Sequence, residues 1–202
     1  MIRDTLQPVP IPAPEISSAR MNEYSDEELI EKFLDINTRH LAFNYLVNQY
    51  QQRLYWHIRR ILLDHDDSND VIQNVFIKVW KNLENFRRDS LLYTWLYRIA
   101  TNEALTFLKQ KKRRFIISFS DVEYEMADSL SNDPLFTGDK IQAQLQKAIL
   151  KLPPRQRLVF NMKYFDGLKY EEISEILGVT VGALKATYHH AVKKISKYVT
   201  AI

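Results

Sequence analysis

Apolar residues recur along this chain at three- and four-residue spacings with almost no sustained alternation, so the pattern predicts helices nearly throughout. Ser25-Asp26-Glu27-Glu28 reads as a helix start, with Ser25 as cap and Glu28 at the capping-box position. Leu29, Ile30, Phe33 and Leu34 then form one face. Leu41 through Leu63 predicts a longer, aromatic-rich helix carrying Phe43, Leu46, Val47, Tyr50, Leu54, Ile58 and Ile61/Leu62. A polar break is expected at Asp64-His65-Asp66-Asp67-Ser68-Asn69. The next helix, Asp70 to about Leu83, carries Val71, Val75 and Val79 beside Ile72 and Phe76, and another runs from Leu91 to about Lys112. The one short strand-like run is Phe115-Ile116-Ile117-Ser118-Phe119.

The C-terminal part gives the sharpest local pattern. Leu152 to Lys194 reads as three short helices, the last two separated only by a Gly-Val-Thr turn. Ile173, Ile176 and Leu177 are the apolar positions of Tyr170 to Leu177. Gly178 supplies the left-handed residue that ends a helix, and Thr180 is a cap for the next one. Val181, Leu184, Tyr188, Ala191, Val192 and Ile195 then share one face. The opposite face shows Ala183, Lys185, Ala186, His189, His190 and Lys193, which are small, polar or cationic. Two helices joined by a tight Gly-containing turn, the second exposing short and basic residues, describe a helix-turn-helix whose second helix enters the DNA major groove. Short side chains let that helix approach the groove wall, while Lys185, Lys193 and Lys194 neutralise phosphates. The plain alternative is a helical hairpin with a solvated face, a common false positive of this pattern.

Composition narrows the class. A hydrophobic fraction of 46% with 26% charged residues fits a folded chain, and 4 Gly against 11 Tyr, 10 Phe and 3 Trp favours helices over turn-rich sheet. The absence of cysteine excludes a disulfide framework, a thiol nucleophile and a cysteine zinc site, and suits a reducing cytoplasm. No apolar run approaches membrane-spanning length, and the N-terminus lacks the charged-then-apolar order of a signal peptide. The net charge of +3 is modest but unevenly spread. Residues 25–114 carry +3, residues 115–150 carry −4 and residues 151–202 carry +5. Two basic blocks separated by an acidic connector suggest two modules facing nucleic acid and a tether with another task.

The expected organisation is therefore all-α, with two small helical domains joined by a flexible acidic linker. Residues 1–23 form a Pro-rich leader in which Pro8, Pro10, Pro12 and Pro14 block a helix. It is either a partner-binding tail or a stretch ahead of a true initiator at Met21, the second being slightly favoured. The first domain covers residues 24–114, the linker 115–139, and the helix-turn-helix domain 140–202.

In the first domain, aromatic and basic residues interleave over Asn85-Phe86-Arg87-Arg88-Asp89-Ser90 and Tyr93-Thr94-Trp95-Leu96-Tyr97-Arg98, ending in Lys109-Gln110-Lys111-Lys112-Arg113-Arg114. Such a series can stack on and clamp an unpaired strand. Trp95 and Ile99, at i and i+4, are assigned to the core, whereas the five cations of Lys109–Arg114 are assigned to phosphates. The polar face Asp70, Gln73, Asn74 and Lys78 reads as solvated surface or as a docking face.

Here the residues resemble a known family. LPPRQRLVF, GLKYEEISEILGV and VGALKATYHHAVKKI resemble the promoter-binding C-terminal domain of extracytoplasmic-function (ECF) sigma factors of the sigma-70 family. DVIQNVFIKVW and NFRRDSLLYTWLYRIATNEAL, with the basic tail, look like that family's core domain. The match runs over about residues 24 to 198, with both blocks in the right order. The resemblance implies a sigma factor that binds core RNA polymerase, melts the minus-ten element and reads the minus-thirty-five element. It places Asp70, Gln73, Asn74, Phe76 and Ile77 on the polymerase clamp helices. It assigns the Phe86–Leu92 loop (Phe86, Arg87, Arg88, Asp89, Ser90) and Asn102 to a pocket for a base flipped from the minus-ten non-template strand. Arg87 and Arg88, with Lys109, Lys111, Lys112, Arg113 and Arg114, would hold the backbone phosphates. Thr180, Val181, Ala183, Lys185, Ala186, Thr187, His189, His190 and Lys193 would face the minus-thirty-five element. The acidic linker would thread the polymerase towards its RNA exit path.

This sequence departs from the family at several points. Asn74 stands where Glu is usual, Lys169 where a Ser or Thr cap is preferred, and Thr187 and His190 where arginines are common. Arginine paired bidentately with guanine is a strong base contact, so base readout should be weaker or different. The resemblance implies no catalytic residue, metal or cofactor. It implies a cytoplasmic protein, monomeric when free, with core polymerase and promoter DNA as partners; an anti-sigma factor is a further partner that no residue here proves. A one-component regulator would need a ligand pocket or dimerisation domain that residues 25–114 do not propose. A metal-dependent nucleic-acid enzyme could use Asp64, His65, Asp66, Asp67 and Asp70, but consecutive acids ahead of a helix more often cap it. His189 and His190 point about 100° apart on a helix and poorly share one ion.

Overall fold

The computed structural model describes residues 24–115 and 140–200, which contain eight α-helices and one short 3-10 turn, with no strand among the described residues. The chain is all-α, as its periodicity predicts. The leader and almost all of the expected linker, with residues 116–119 of the strand-like run, lie outside the described residues; Phe115 is the last residue of a helix. The structure divides into two units, one ending at Gln49 and one beginning at Tyr50.

The first unit holds α1 (Asp26–Leu34) and the opening turns of α2 (Arg39–Leu62). The Ser25 hydroxyl accepts the Glu28 amide at 3.3 Å while the Glu28 carboxylate accepts the Ser25 amide at 2.7 Å. This reciprocal capping satisfies two amides that the helix start leaves over, and it holds the Glu28 carboxyl below its ordinary range. Leu29, Ile30 and Phe33 are buried with Ala42 and Leu46. Phe33 meets Phe43 with ring centroids 6.1 Å apart, and Gln49 donates to Asp26 at 3.3 Å, so α1 lies antiparallel to these turns of α2.

In the second unit, α2 continues through Tyr50, Leu54, His57, Ile58 and Ile61, all buried. It ends at Leu63, which adopts φ 60°, a left-handed conformation costly for a branched side chain. Burial of its side chain, 6% exposed, opposes that cost. α3 (His65–Asn82) begins at once, not at Asp70 as the sequence predicts. The expected polar break is its first turn. The Asp64 carboxylate accepts the Asp67 amide at 2.8 Å, and Asp66 and Asp67 favour the positive end of the helix dipole.

α3 and α4 (Leu92–Phe115) run antiparallel, pinned at both ends by Lys78–Glu103 and Lys111–Asp67, each at 2.5 Å. Val71, Val75 and Val79 of α3 and Leu92, Leu96, Tyr97, Ala100 and Ala104 of α4 are buried. Trp95 and Ile99, assigned to the core from their spacing, are only half-buried, because the inward face of α4 is centred one residue further on.

Past the linker come α5 (Lys140–Leu150), α6 (Pro154–Tyr164), α7 (Tyr170–Leu177) and α8 (Val181–Thr200). Only the last three are predicted from the sequence, and α8 is a long helix of 20 residues. Ala148, Ile149, Leu152, Phe160, Ala191 and Ile195 make the core here, with Tyr164, Phe165, Tyr188 and Val192 around it. Phe160 stacks nearly parallel on Tyr164 and Tyr188, at 5.2 and 5.7 Å between centroids. The two helical domains do not stand apart, since α7 packs against α4.

Candidate nucleic-acid interface

The α7–α8 turn forms as its residues dictate. Gly178 ends α7 at φ 65°, ψ 33°, its amide bonded to the Ser174 carbonyl. The Thr180 hydroxyl accepts the Ala183 amide at 3.4 Å, starting α8. At Lys169 no side chain can accept a hydrogen bond; Glu172 makes its half of the cap alone, accepting the Lys169 amide at 2.7 Å.

Leu184, Ala191 and Ile195 turn α8 inward, leaving Ala183, Lys185, Ala186, His189, His190 and Lys193 exposed on one face. Three of the residues assigned to DNA stand differently. Val181 is half-buried, and Thr187 is half-buried with its hydroxyl donated to the Ala183 carbonyl at 2.7 Å. Thr180 is exposed, but its oxygen is engaged as the cap. Lys185 leans over the Tyr170 ring, 5.8 Å from its centroid, where Lys163 also sits at 5.0 Å. The His189 and His190 rings lie 6.0 Å apart at 66° to each other. Burial raises the Tyr170 and Tyr188 phenols, so both stay protonated at neutral pH.

On α4 the solvent face carries Trp95, Asn102 and Lys109 at seven-residue steps, with Arg113 a turn beyond. Seven residues are about two turns and about 10 Å of rise, so these side chains form one stripe. Asn102, Lys109 and Arg113 are exposed. Phe86 stands at the start of the stripe, packed on Trp95 with centroids 5.1 Å apart. Arg87, Arg88 and Asp89 are exposed in the same loop and Ser90 is half-buried; Arg88 holds φ 60°. Lys111, assigned to phosphate, points instead to Asp67, and that pair is exposed enough for DNA to compete with it. Lys112 and Arg114 belong to the last turns of α4, and their side chains lie outside the described residues.

A second surface lies on α3. Asp70, Gln73, Asn74 and Ile77 share one exposed face at spacings of three and four. Ile77 is 52% exposed, an apolar residue among polar ones. Phe76 is only half-buried, and Val75, 0% exposed, is the core residue of that turn.

The sequence reading misses one polar network entirely. His57 of α2 and Asp166, 109 residues on, meet at 2.6 Å (Nδ1 to Oδ2), and Arg60 donates to the other Asp166 oxygen at 2.8 Å. The His57 and Asp166 side chains are 1% and 2% exposed. The Arg60 guanidinium also covers the Phe165 ring at 4.7 Å. Burial pulls the Arg60 guanidinium below its usual range, and the Asp166 charge opposes that shift. A second link joins the Tyr93 hydroxyl to Glu172, the carboxylate that caps α7. Burial first, and then this bond, push the Tyr93 phenol up to about 12. One signal was present: His57 interrupts the apolar stripe Leu54, Ile58, Ile61, although nothing in the sequence names its partner.

Among the described residues no group of three or more His, Asp or Glu side chains is placed to hold a metal ion, and no helix is long and apolar enough to cross a membrane. Asp64 serves as a cap, while His65 meets the Tyr55 hydroxyl at 2.7 Å and Asn69 at 3.1 Å.

Comparison with known proteins places the chain in one family. Residues 46–114 match Sigma-70 region 2 and residues 142–195 match Sigma-70, region 4. The RNA polymerase sigma-H factor of Pseudomonas aeruginosa is 32% identical over 185 residues, 88% of this chain and 95% of that protein. The ECF RNA polymerase sigma-E factor of Escherichia coli K12 is 33% identical over 185 residues with the same coverage. The fold is shared with the sigma factor RpoE, solved with the anti-sigma factor NepR from Bartonella quintana (TM-score 0.64, 20% identity, covering 78% of this chain and 96% of that one). It is shared likewise with CnrH, solved with the cytosolic domain of CnrY (TM-score 0.62, 22% identity, 87% and 99% covered). Identity above 30% along nearly the whole length establishes that this chain belongs to the ECF sigma factors of the sigma-70 family.

Proposed function

We propose that this protein binds core RNA polymerase and directs promoter-specific initiation, opening DNA at the minus-ten element and reading the minus-thirty-five element. The observation that carries this reading is the similarity to sigma-H and sigma-E factors over 88% of the chain, spanning both sigma regions. The two exposed stripes, Asn102–Lys109–Arg113 on α4 and Lys185–His189–Lys193 on α8, supply the cationic and polar faces that such a task needs.

In this reading the Asp70, Gln73, Asn74 and Ile77 face docks the polymerase clamp. Phe86 and Asn102 receive a base flipped out of the duplex, offsetting an unstacking cost of a few kcal/mol. Arg87, Arg88, Lys109 and Arg113 hold the backbone beside it. The protein acts as a regulator and not as a catalyst: its residues bind and position DNA, and the polymerase carries the chemistry. It works in the cytoplasm, where promoter and polymerase are. RpoE and CnrH are each solved with a protein partner; an anti-sigma factor is the corresponding proposal here. Run-off transcription with purified core enzyme tests the reading. Start sites that appear only when this protein is added support it. Failure to co-elute with core enzyme, together with unchanged start sites, removes it.

A further inference from the structure

The recognition helix carries two kinds of basic residue. α8 runs from Val181 to Thr200 with four lysines and no Asp or Glu. Among those lysines stand His189 and His190, both exposed, with ring centroids 6.0 Å apart. At about 100° per residue the two point to either side of the outward pole of the helix, and Lys193 falls between them in projection. Lys185 and Lys193 stand four residues before and after His189. Lys193 and Lys194 stand three and four residues after His190, so cations flank both rings on the helix surface.

Other histidines are committed to protein partners: His57 to Asp166 and Thr101, His65 to Tyr55 and Asn69. Neither His189 nor His190 has a hydrogen bond or an ion pair among the described residues. The helices packed against α8 meet its inner side, at Leu184, Ala191 and Ile195. Their titratable groups are Lys147 on α5, Arg155, Arg157, Lys163 and Tyr164 on α6, and Tyr170, Glu171, Glu172 and Glu175 on α7. Lys163 turns to the Leu168 carbonyl and the Tyr170 ring, Arg157 to the Leu150 carbonyl, and Glu172 to the Lys169 amide and the Tyr93 hydroxyl. No carboxylate is paired with either imidazole.

Histidine is the side chain whose charge ordinarily changes between about pH 5 and 8. A proton on either ring of the free protein stands among lysines; with DNA on this face it stands among phosphates. Phosphodiesters and paired bases keep their charge across that range, so the proton is gained by the protein. We infer that His189 and His190 make binding of the minus-thirty-five element proton-linked: each imidazole takes up a proton as it meets a phosphate, and affinity rises as pH falls through neutrality. The inference rests on the sigma-factor reading and adds a form of regulation to it. By linkage, proton and DNA each favour the binding of the other. With both rings charged the helix presents six cations in place of four, and acidification strengthens promoter occupancy without a further partner.

The test uses holoenzyme assembled from the full chain and core enzyme. One probe is a fluorescent duplex taken from a start site mapped by run-off transcription and cut short of the minus-ten element; the other is a duplex of arbitrary sequence. Dissociation constants are measured from about pH 6 to about pH 8, where an imidazole titrates. Parent holoenzyme should bind both roughly tenfold more tightly at the acid end, because a neighbouring opposite charge commonly shifts a titration by about one unit or more. The slope of log K against log salt should steepen there, by about 0.9 for each imidazole that neutralises a phosphate. His189→Gln with His190→Gln keeps polar side chains without charge, and should flatten both responses. His190→Lys is charged throughout; it should raise affinity at the alkaline end and leave only the share of the response that His189 supplies. A pH response undiminished in the double Gln variant places the titration elsewhere and overturns the proposal, as does a salt slope that is equal at both ends of the range. A linkage confined to the promoter duplex overturns the phosphate contact. If run-off transcription yields no start site, the sigma-factor reading is what fails, and the linkage is then decided with the free chain on the arbitrary duplex by the same Gln variant.

Discussion

The Phe86 ring rests on Trp95, their centroids 5.1 Å apart and their planes tilted by 45°. The loop residue assigned to strand opening is thus braced by α4, and the brace stands two turns from Asn102 on the same face. A base leaving the duplex would meet a surface already organised, which is where preorganisation lowers the cost of flipping.

The two residues should separate experimentally. Asn102 is exposed, so Asn102→Ala should leave stability within about 0.5 kcal/mol while slowing open-complex formation on duplex promoter. A template already melted at the minus-ten element should restore most of the loss. Phe86→Ala should show the same rescue but with an added stability cost of about 1–2.5 kcal/mol, below the 3–5 kcal/mol of a fully buried aromatic. Equal defects on both templates would move the pair from opening to structure.

On α3 the exposed and buried faces predict opposite phenotypes. Gln73→Ala, at an exposed position, should weaken co-elution with core polymerase at unchanged melting temperature. Val75→Ala, at 0% exposure, should lower stability by about 1–3 kcal/mol through lost burial and a residual cavity. Phe76 is half-buried and should fall between the two. Thermal melts beside gel filtration with core enzyme decide the matter; a normal polymerase affinity for Gln73→Ala would remove this face from the interface.

Much of this was legible in the chain because it is local. Ser25 and Glu28, Gly178 and Thr180, and the apolar face Leu184–Ala191–Ile195 each follow from spacing within one or two turns. The start of α3 is not legible in the sequence because Asp, Ser and Asn suit both loops and helix caps, and only the φ of 60° at Leu63 shows where the chain breaks. The sequence reading assigns residues 140–150 to the helix-turn-helix domain without naming a helix there, although Leu145, Ala148 and Ile149 of α5 stand at helical spacing. His57 with Asp166 lay beyond reach, since a pairing over 109 residues leaves no trace in local periodicity.

Alkaline pH should loosen the α4–α7 contact. The Tyr93 phenol is raised from its ordinary value near 10 to about 12, chiefly by burial and then by its bond to Glu172. A raised value means that the folded protein keeps this proton longer than the unfolded chain does. The contribution is therefore complete below pH 10 and lost as pH climbs towards 12. Above that a phenolate would face a carboxylate. Burial also raises the Tyr97, Tyr170 and Tyr188 phenols, so ultraviolet titration should show several late-ionising groups, and Tyr93→Phe should reduce the late amplitude by one phenol; an undiminished late amplitude in the variant would place the Tyr93 ionisation earlier.

The recognition helix should bind DNA chiefly through its charge. Its exposed face offers Lys185, His189, His190 and Lys193 but no arginine, and Ala183 and Ala186 add only small apolar contacts. Each good bidentate base contact discriminates by about 1–3 kcal/mol, and no arginine supplies one here. The Thr187 hydroxyl is already given to the Ala183 carbonyl, which withdraws one more candidate. Affinity of the polymerase-bound protein for its minus-thirty-five element should fall steeply with salt, and Lys193→Ala should reduce the slope of log K against log salt by about 0.9 if one phosphate contact is lost. Lys185 is tethered over Tyr170 at 5.8 Å, so Tyr170→Leu should release it and weaken binding in the same way while leaving Lys193 untouched. Measuring each variant on cognate and scrambled elements separates charge from readout: an equal loss on both marks a phosphate contact, and a loss confined to the cognate element would show that Lys185 reads a base.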